Sequence, residues 1–220
     1  MRGDAFSCFC KNGYSIPISL VLELYERYDI CLWTNQYFSK EIDFEEFKLN
    51  FEDVALDYDE IESMQDKSNI SKEYLDSLAD ISKSSKLTGI LYGGIHQDNC
   101  EVYFKNKDVS NLAGTVIKIP GICSTTISKE EALDYASQAY GLTEESDYGV
   151  MLNIKIVEDV YGAKLSQLRY GEDIHINQEG RSLGEVIIHN SSIKITEFKG
   201  IVTHDGTNVY LYNAEIAHMD

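Results

Sequence analysis

The stretch that decides the fold is Gly114–Thr126, GTVIKIPGICSTT, running through Ile127 into Ser128-Lys129-Glu130-Glu131-Ala132-Leu133-Asp134-Tyr135-Ala136. Thr115 to Ile119 reads as a strand ending before Pro120, since alternating β-branched residues suit a pleated, half-buried surface. Ser128 to Glu131 reads as a capping box, in which the Ser128 hydroxyl accepts the amide proton three residues on and Glu131 reaches back. Ala132, Leu133, Tyr135, Ala136 and Ala139 then form the apolar face of a helix. Between strand and helix stand three hydroxyls, Ser124, Thr125 and Thr126, residue types that also serve as ordinary caps and turns.

Upstream of this block the chain reads as helices. Ser15 and Pro17 open a run with Leu20, Val21, Leu24, Tyr25 and Tyr28 on one face, and proline suits a first helical turn. Phe44, Phe47, Phe51, Val54, Tyr58 and Ile61 step by three and four residues, the stripe of a single amphipathic helix. Its other face is acidic, with eleven Asp or Glu against Lys48 alone from Glu41 to Asp66. A third helix starts at Ser71 and turns Tyr74, Leu75, Leu78 and Ile81 inward, and Ser82 to Lys86 is a polar linker.

Around and beyond the block the pattern is that of strands: Gly89–Ile95, Val102–Phe104, Gly149–Val157, Glu185–His189 and Ile193–Phe198. The dipeptide Asp205-Gly206, flanked by Ile201-Val202 and Val209–Tyr212, is a hairpin turn. The expected architecture is therefore α+β. A helical N-terminal part occupies 1–85, and a mostly β module with one embedded helix occupies 86–220.

Composition excludes several classes. With 43% hydrophobic and 11% aromatic residues, the 220-residue chain can bury a core and is not disordered throughout. Its 19 basic against 37 acidic residues give a net charge of −18, against a generic nucleic-acid surface and for local capture of any anionic ligand. No apolar run is long enough to span a bilayer, and Met1 to Gly13 lacks the pattern of a signal peptide. Five scattered cysteines, with Cys8-Phe9-Cys10 lacking a second pair, read as reduced thiols rather than a metal site. The five histidines show no metal-ligand spacing.

Three segments together resemble the mono-ADP-ribosyltransferases. Leu91-Tyr92-Gly93-Gly94-Ile95 is similar to the family's first core strand, usually aromatic-Arg-Gly. Gly114–Thr126 with its following helix resembles the strand leading into the Ser-Thr-Ser motif. Ser182-Leu183-Gly184-Glu185-Val186-Ile187-Ile188 resembles the strand that carries the catalytic Glu. The separations, about 30 and 60 residues, suit the family, and the preceding helices are similar to those of the small transferases of T-even bacteriophages. The resemblance covers residues 86–220 and implies an ADP-ribosyltransferase-like split β-sandwich.

It also implies NAD as substrate, no metal, and transfer of ADP-ribose to a macromolecular acceptor, a host protein, in the cytoplasm of a bacterial host. Glu185 and Ser124 are then the catalytic pair, with Tyr92, Gly93, Gly94, Thr125 and Thr126 lining the cofactor site. Cleaving the nicotinamide–ribose bond develops positive charge on the sugar, which an ionised Glu185 stabilises. Ser124 fixes that carboxylate or the ribose. Two departures stand out. Gly93 occupies the family's Arg position, and Leu183 replaces the first acid of the Glu-x-Glu pair carried by arginine-modifying members. Arg169, Arg181, Lys105, Lys107, Lys118 and His96 are the candidate substitutes for the lost guanidinium. Leu183 argues against arginine as the modified residue and leaves other side chains, or a nucleic-acid base, open. The competing expectation is a degenerate transferase fold that acts as an acidic inhibitor of a basic or nucleic-acid-binding partner.

Overall fold

The computed structural model describes residues 16–62, 64, 67–105, 107–137, 147–165 and 184–218. Ser15, Cys8, Cys10, Ala139, Arg169, His175, Arg181, Ser182 and Leu183 lie outside them. Five helices come first: α1 (Ile18–Tyr25), α2 (Tyr28–Phe38), α3 (Phe44–Ala55), α4 (Asp59–Glu62) and α5 (Ile70–Ile81). Strands β1 (Ser85–Leu87) and β2 (Ile90–His96) follow, then α6 (Gln97–Phe104), β3 (Val116–Thr126) and α7 (Lys129–Ser137). Strands β4 (Tyr148–Ile156), β5 (Val160–Lys164), β6 (Glu185–His204) and β7 (Thr207–His218) complete the chain. The α+β plan expected from the sequence, helices first and a layered sheet after, is the plan observed.

The strands form one mixed sheet in the order β1-β5-β6-β3-β2-β4-β7, and the long β6 also pairs with β7. Strands β2 and β3 share a single register pair, Tyr92 with Thr126. The sheet is therefore split there into two halves, β1-β5-β6-β3 and β2-β4-β7, rejoined by β6 and β7. Between the halves lies an inner core of Leu91, Ile95, Ile117, Leu152, Ile154, Val186, Ile188 and Tyr212, with their neighbours.

The outer face is covered by two separate sets of helices. Helices α1 to α5 pack on Ile122, Ala163, Leu165 and Ile187 of the β3–β6 half, so the N-terminal helices share one core with the sheet. Inside that layer Phe51 stacks between Phe47 and Tyr74, with ring centroids 5.4 and 4.7 Å away. Helix α7 covers the other half through Ala132 and Ala136, against Met151, Val209 and Tyr92. It can approach because β2 and β4 present glycines. A Cβ on Gly94 would stand 2.3 Å from the Ala132 carbonyl oxygen, and one on Gly149 2.0 Å from that of Ala136. The far end of α7 is tied to the β6–β7 hairpin by a 2.6 Å contact between His204 Nε2 and Asp134 Oδ1.

Several local expectations change. The first helix stops at Tyr25 and a new one, α2, starts at Tyr28. The aromatic stripe is divided into α3 and α4, leaving Phe47, Phe51 and Ile61 fully enclosed while Phe44, Val54 and Tyr58 are half-buried. Val102–Phe104 is the end of a helix, because Cys100 and Phe104, four residues apart, both turn into the inner core. Strand β3 does not stop at Ile119: it passes Pro120-Gly121 through an irregularity and re-pairs from Ile122 to Thr126. A proline at a bulge leaves no ladder hydrogen bond unmade. Strand β6 is continuous across Asn190, whose φ of 42° bends it where pairing with β7 begins.

Candidate active site

The register of β3 against β6 assembles the site. Thr126 lies opposite Glu185, Thr125 opposite Val186 and Ser124 opposite Ile187. Directly opposed residues share a face and successive residues alternate, so Ser124, Thr126 and Glu185 all lie on the outer face. Ser124 Oγ donates to Glu185 Oε1 at 2.5 Å, across 61 residues of chain, in an exposed position.

Thr126, beside them, is largely buried and anchors the turn into α7. Its hydroxyl donates to the Glu131 carboxylate and accepts the Ser128 amide proton at 3.0 Å. Ser128 Oγ accepts from the Glu131 amide at 3.3 Å, as a capping box requires. The reciprocal arm differs from the expectation, since Glu131 holds Thr126 rather than the Ser128 amide. Glu131 thereby comes close to the backbone before Glu185, where a Cβ on Gly184 would lie 3.0 Å from Glu131 Oε2.

The other expected site residues are placed differently, and of them Tyr92 shares the outer face with Thr126. Thr125 is buried, with its hydroxyl donating to the Val186 carbonyl at 2.8 Å. Tyr92, partner of Thr126, packs with the α7 cluster. Gly94 lies beneath α7. Gly93 alternates with Tyr92, and a Cβ there would meet only Ile154 Cδ1, at 3.4 Å, in the inner core. By the same alternation, position 93 lies on the opposite side of β2 from Tyr92. Of the candidate cations, Lys107 Nζ bonds Thr115 Oγ1 at 3.0 Å, and Lys105 and Lys118 are exposed. His96 is buried at the end of β2, its Nδ1 accepting from the Asp98 amide at 3.3 Å.

Two residues of the helical layer reach the site without any local signal in the sequence. The Tyr25 hydroxyl lies 3.4 Å from Ser124 Oγ. Burial, reinforced by the Cys31 thiol and the Glu185 carboxylate, holds its phenol protonated well above the ordinary range. Cys31 sits on α2 one turn before Asn35, whose Oδ1 accepts from the Ile122 amide at 3.3 Å and docks α2 on β3. Burial pushes the Cys31 thiol up to about 11 and Cys123 up to about 12, with Glu185 adding to both. Both thiols are protonated and poor nucleophiles at neutral pH. The group offering negative charge at the open face is therefore a carboxylate, held by a hydroxyl.

No family model and no curated protein matches this sequence. Among solved structures, the chain is similar to C3larvin toxin, an ADP-ribosyltransferase from Paenibacillus larvae, at 10% identity and a TM-score of 0.47, covering 98% of this chain and 100% of that one. It is similar to the ADP-ribosyltransferase Vis from Vibrio splendidus, solved with agmatine, at 14% identity and a TM-score of 0.45, covering 95% and 80%. A third is C2-I, the enzymatic component of the C2 toxin from Clostridium botulinum, at 12% identity and a TM-score of 0.49. That match takes in 90% of this chain and 42% of the toxin component.

Proposed function

We propose that this protein cleaves the bond between nicotinamide and ribose in NAD and transfers the ADP-ribose to a macromolecule of a bacterial host. The observation that carries this reading is the 2.5 Å bond between Ser124 Oγ and Glu185 Oε1 on an exposed sheet face. In the reaction the C1′–N bond breaks and its electron pair leaves with neutral nicotinamide. The anomeric carbon becomes cationic, and the acceptor's nucleophile adds to it while losing a proton to solvent. Glu185 stabilises that cation by its charge. Ser124 restricts the carboxylate to one orientation, which lowers the cost of reorganisation at the moment charge develops. A net charge of −18 favours the cationic sugar in the same sense. The NAD phosphates are then bound without a guanidinium from β2, because that strand carries no Arg.

The test is to incubate the protein with NAD labelled on its adenosine, with and without bacterial lysate. Nicotinamide release matched by label in the macromolecular fraction is the expected result. Release without transfer would reduce the protein to an NAD glycohydrolase, and neither release nor transfer would end the proposal.

A further inference from the structure

Tyr25 ends α1 and is 2% exposed, yet its hydroxyl stands 3.4 Å from Ser124 Oγ, 99 residues along the chain. A serine hydroxyl has one proton. Ser124 directs it to Glu185 Oε1 at 2.5 Å, so towards Tyr25 it acts as acceptor. The phenol is a donor at neutral pH, because burial keeps it protonated. The hydrogens therefore run one way, from Tyr25 O–H to Ser124 Oγ and from Ser124 O–H to the Glu185 carboxylate.

We propose that Tyr25 is a positioning residue for Glu185, acting through Ser124, so that the N-terminal helical layer completes the site carried by the sheet. The proposal rests on the reading of Glu185 as the carboxylate that faces the reacting sugar. Tyr25 fixes the rotamer in which the Ser124 proton points at Glu185. Donors in series also polarise one another, which strengthens the bond to the carboxylate and favours its ionised form. No proton changes hands. At 3.4 Å the outer contact is long for O–H···O, and such contacts tighten once substrate excludes water from a site. Among the described residues, the titratable groups that the structure places near Glu185 include Tyr25 from α1, Cys31 from α2 and Cys123 from β3, all protonated at neutral pH, with the Glu131 carboxylate of α7 beyond Gly184.

The test is Tyr25→Phe, which keeps the packed ring and removes only the donor. Two readouts are followed in wild type and variant: nicotinamide release against pH, and the side-chain carboxyl carbon of Glu185 by NMR titration. The NMR signal is assigned by its loss in Glu185→Gln. The expected result is a kcat lowered about two- to tenfold, the range of one neutral hydrogen bond, with KM for NAD and thermal stability unchanged. Weakening the bond that Ser124 donates to the carboxylate raises the carboxylate's pKa, so both the NMR midpoint and the acidic limb of the rate profile move to higher pH. Adding Tyr25→Phe to Ser124→Ala has no further effect, as a relay through Ser124 requires. An NMR midpoint identical in wild type and Tyr25→Phe overturns the proposal, whether or not NAD is turned over. A shifted midpoint in a protein that releases no nicotinamide upholds the link from Tyr25 to Glu185 and overturns the transferase reading instead.

Discussion

The two halves of the sheet meet at Tyr92 and Thr126, and they use their outer faces in different ways. On the β2–β4 half, glycines at 94 and 149 let α7 settle onto the strands, and the face is closed by small apolar contacts. On the β3–β6 half, the N-terminal helices cover Ile122 and Ile187 but leave Ser124 and Glu185 at an exposed end, where the Tyr25 hydroxyl comes to 3.4 Å from Ser124 Oγ. The first half thus presents packing and the second presents polar chemistry. Gly94 thus serves the contact with α7, while the hydroxyl and carboxylate of the proposed site come from β3 and β6.

The largest effect expected is on the helical layer. Phe51→Ala empties the centre of a fully enclosed aromatic stack and should destabilise the protein by about 3–5 kcal/mol, measured by denaturant unfolding. A loss under about 1 kcal/mol would mean that the layer is not packed on the sheet as described. Next comes Gly93→Arg, which points a guanidinium at Ile154 in the inner core and should cost about 3 kcal/mol. Tighter NAD binding at unchanged stability would instead show that position 93 faces the site, and would erase the contrast between the halves. Gly94→Ala is a smaller change. Its Cβ meets the Ala132 carbonyl, so α7 must shift, at a cost of about 1–3 kcal/mol. The corresponding Gly93→Ala meets only a methyl group at contact distance and should cost less than Gly94→Ala.

The last effect is a pH dependence, absent at neutral pH. Cys31 and Cys123 are held at about 11 and 12 against an ordinary value of 9.0. The unfolded chain therefore loses these protons first as pH rises. Their contribution is full below pH 9 and is lost as pH climbs through 11 to 12, so stability falls across that window. In Cys31→Ser the decline should be shallower over the same range.

Much of this was legible in the chain because it is local. Capping chemistry at Ser128, the inward positions of α5 and the turn at Asp205-Gly206 are set by neighbours a few residues apart. The order and spacing of Ser124 and Glu185 could also be read, and the register of β3 against β6 brings those two together. The face that position 93 presents was not legible, because a glycine shows no preference for either side of a strand and only the pairing of Tyr92 with Thr126 fixes the alternation. Strand β3 looked finished at Pro120 because a proline reads as a stop, whereas here it sits at an irregularity that the pairing spans. Helix α2 gave no clean stripe, since it packs on its helical neighbours with one side and on β3 with another. Tyr25 was visible only as a core position of α1. Its contact with Ser124 is tertiary and left no spacing to read.

Glu185→Gln asks whether the proposed reaction depends on a charged carboxylate on the exposed half of the sheet. The substitution keeps the side chain's shape and its contact with Ser124 while removing the charge. Nicotinamide release from NAD is measured for wild type and variant, alongside thermal stability and NAD affinity. The expected rate is at least about a hundredfold lower in the variant, with stability and affinity nearly unchanged. Equal rates in the two proteins, or no release by the wild type with or without host lysate, would contradict that expectation.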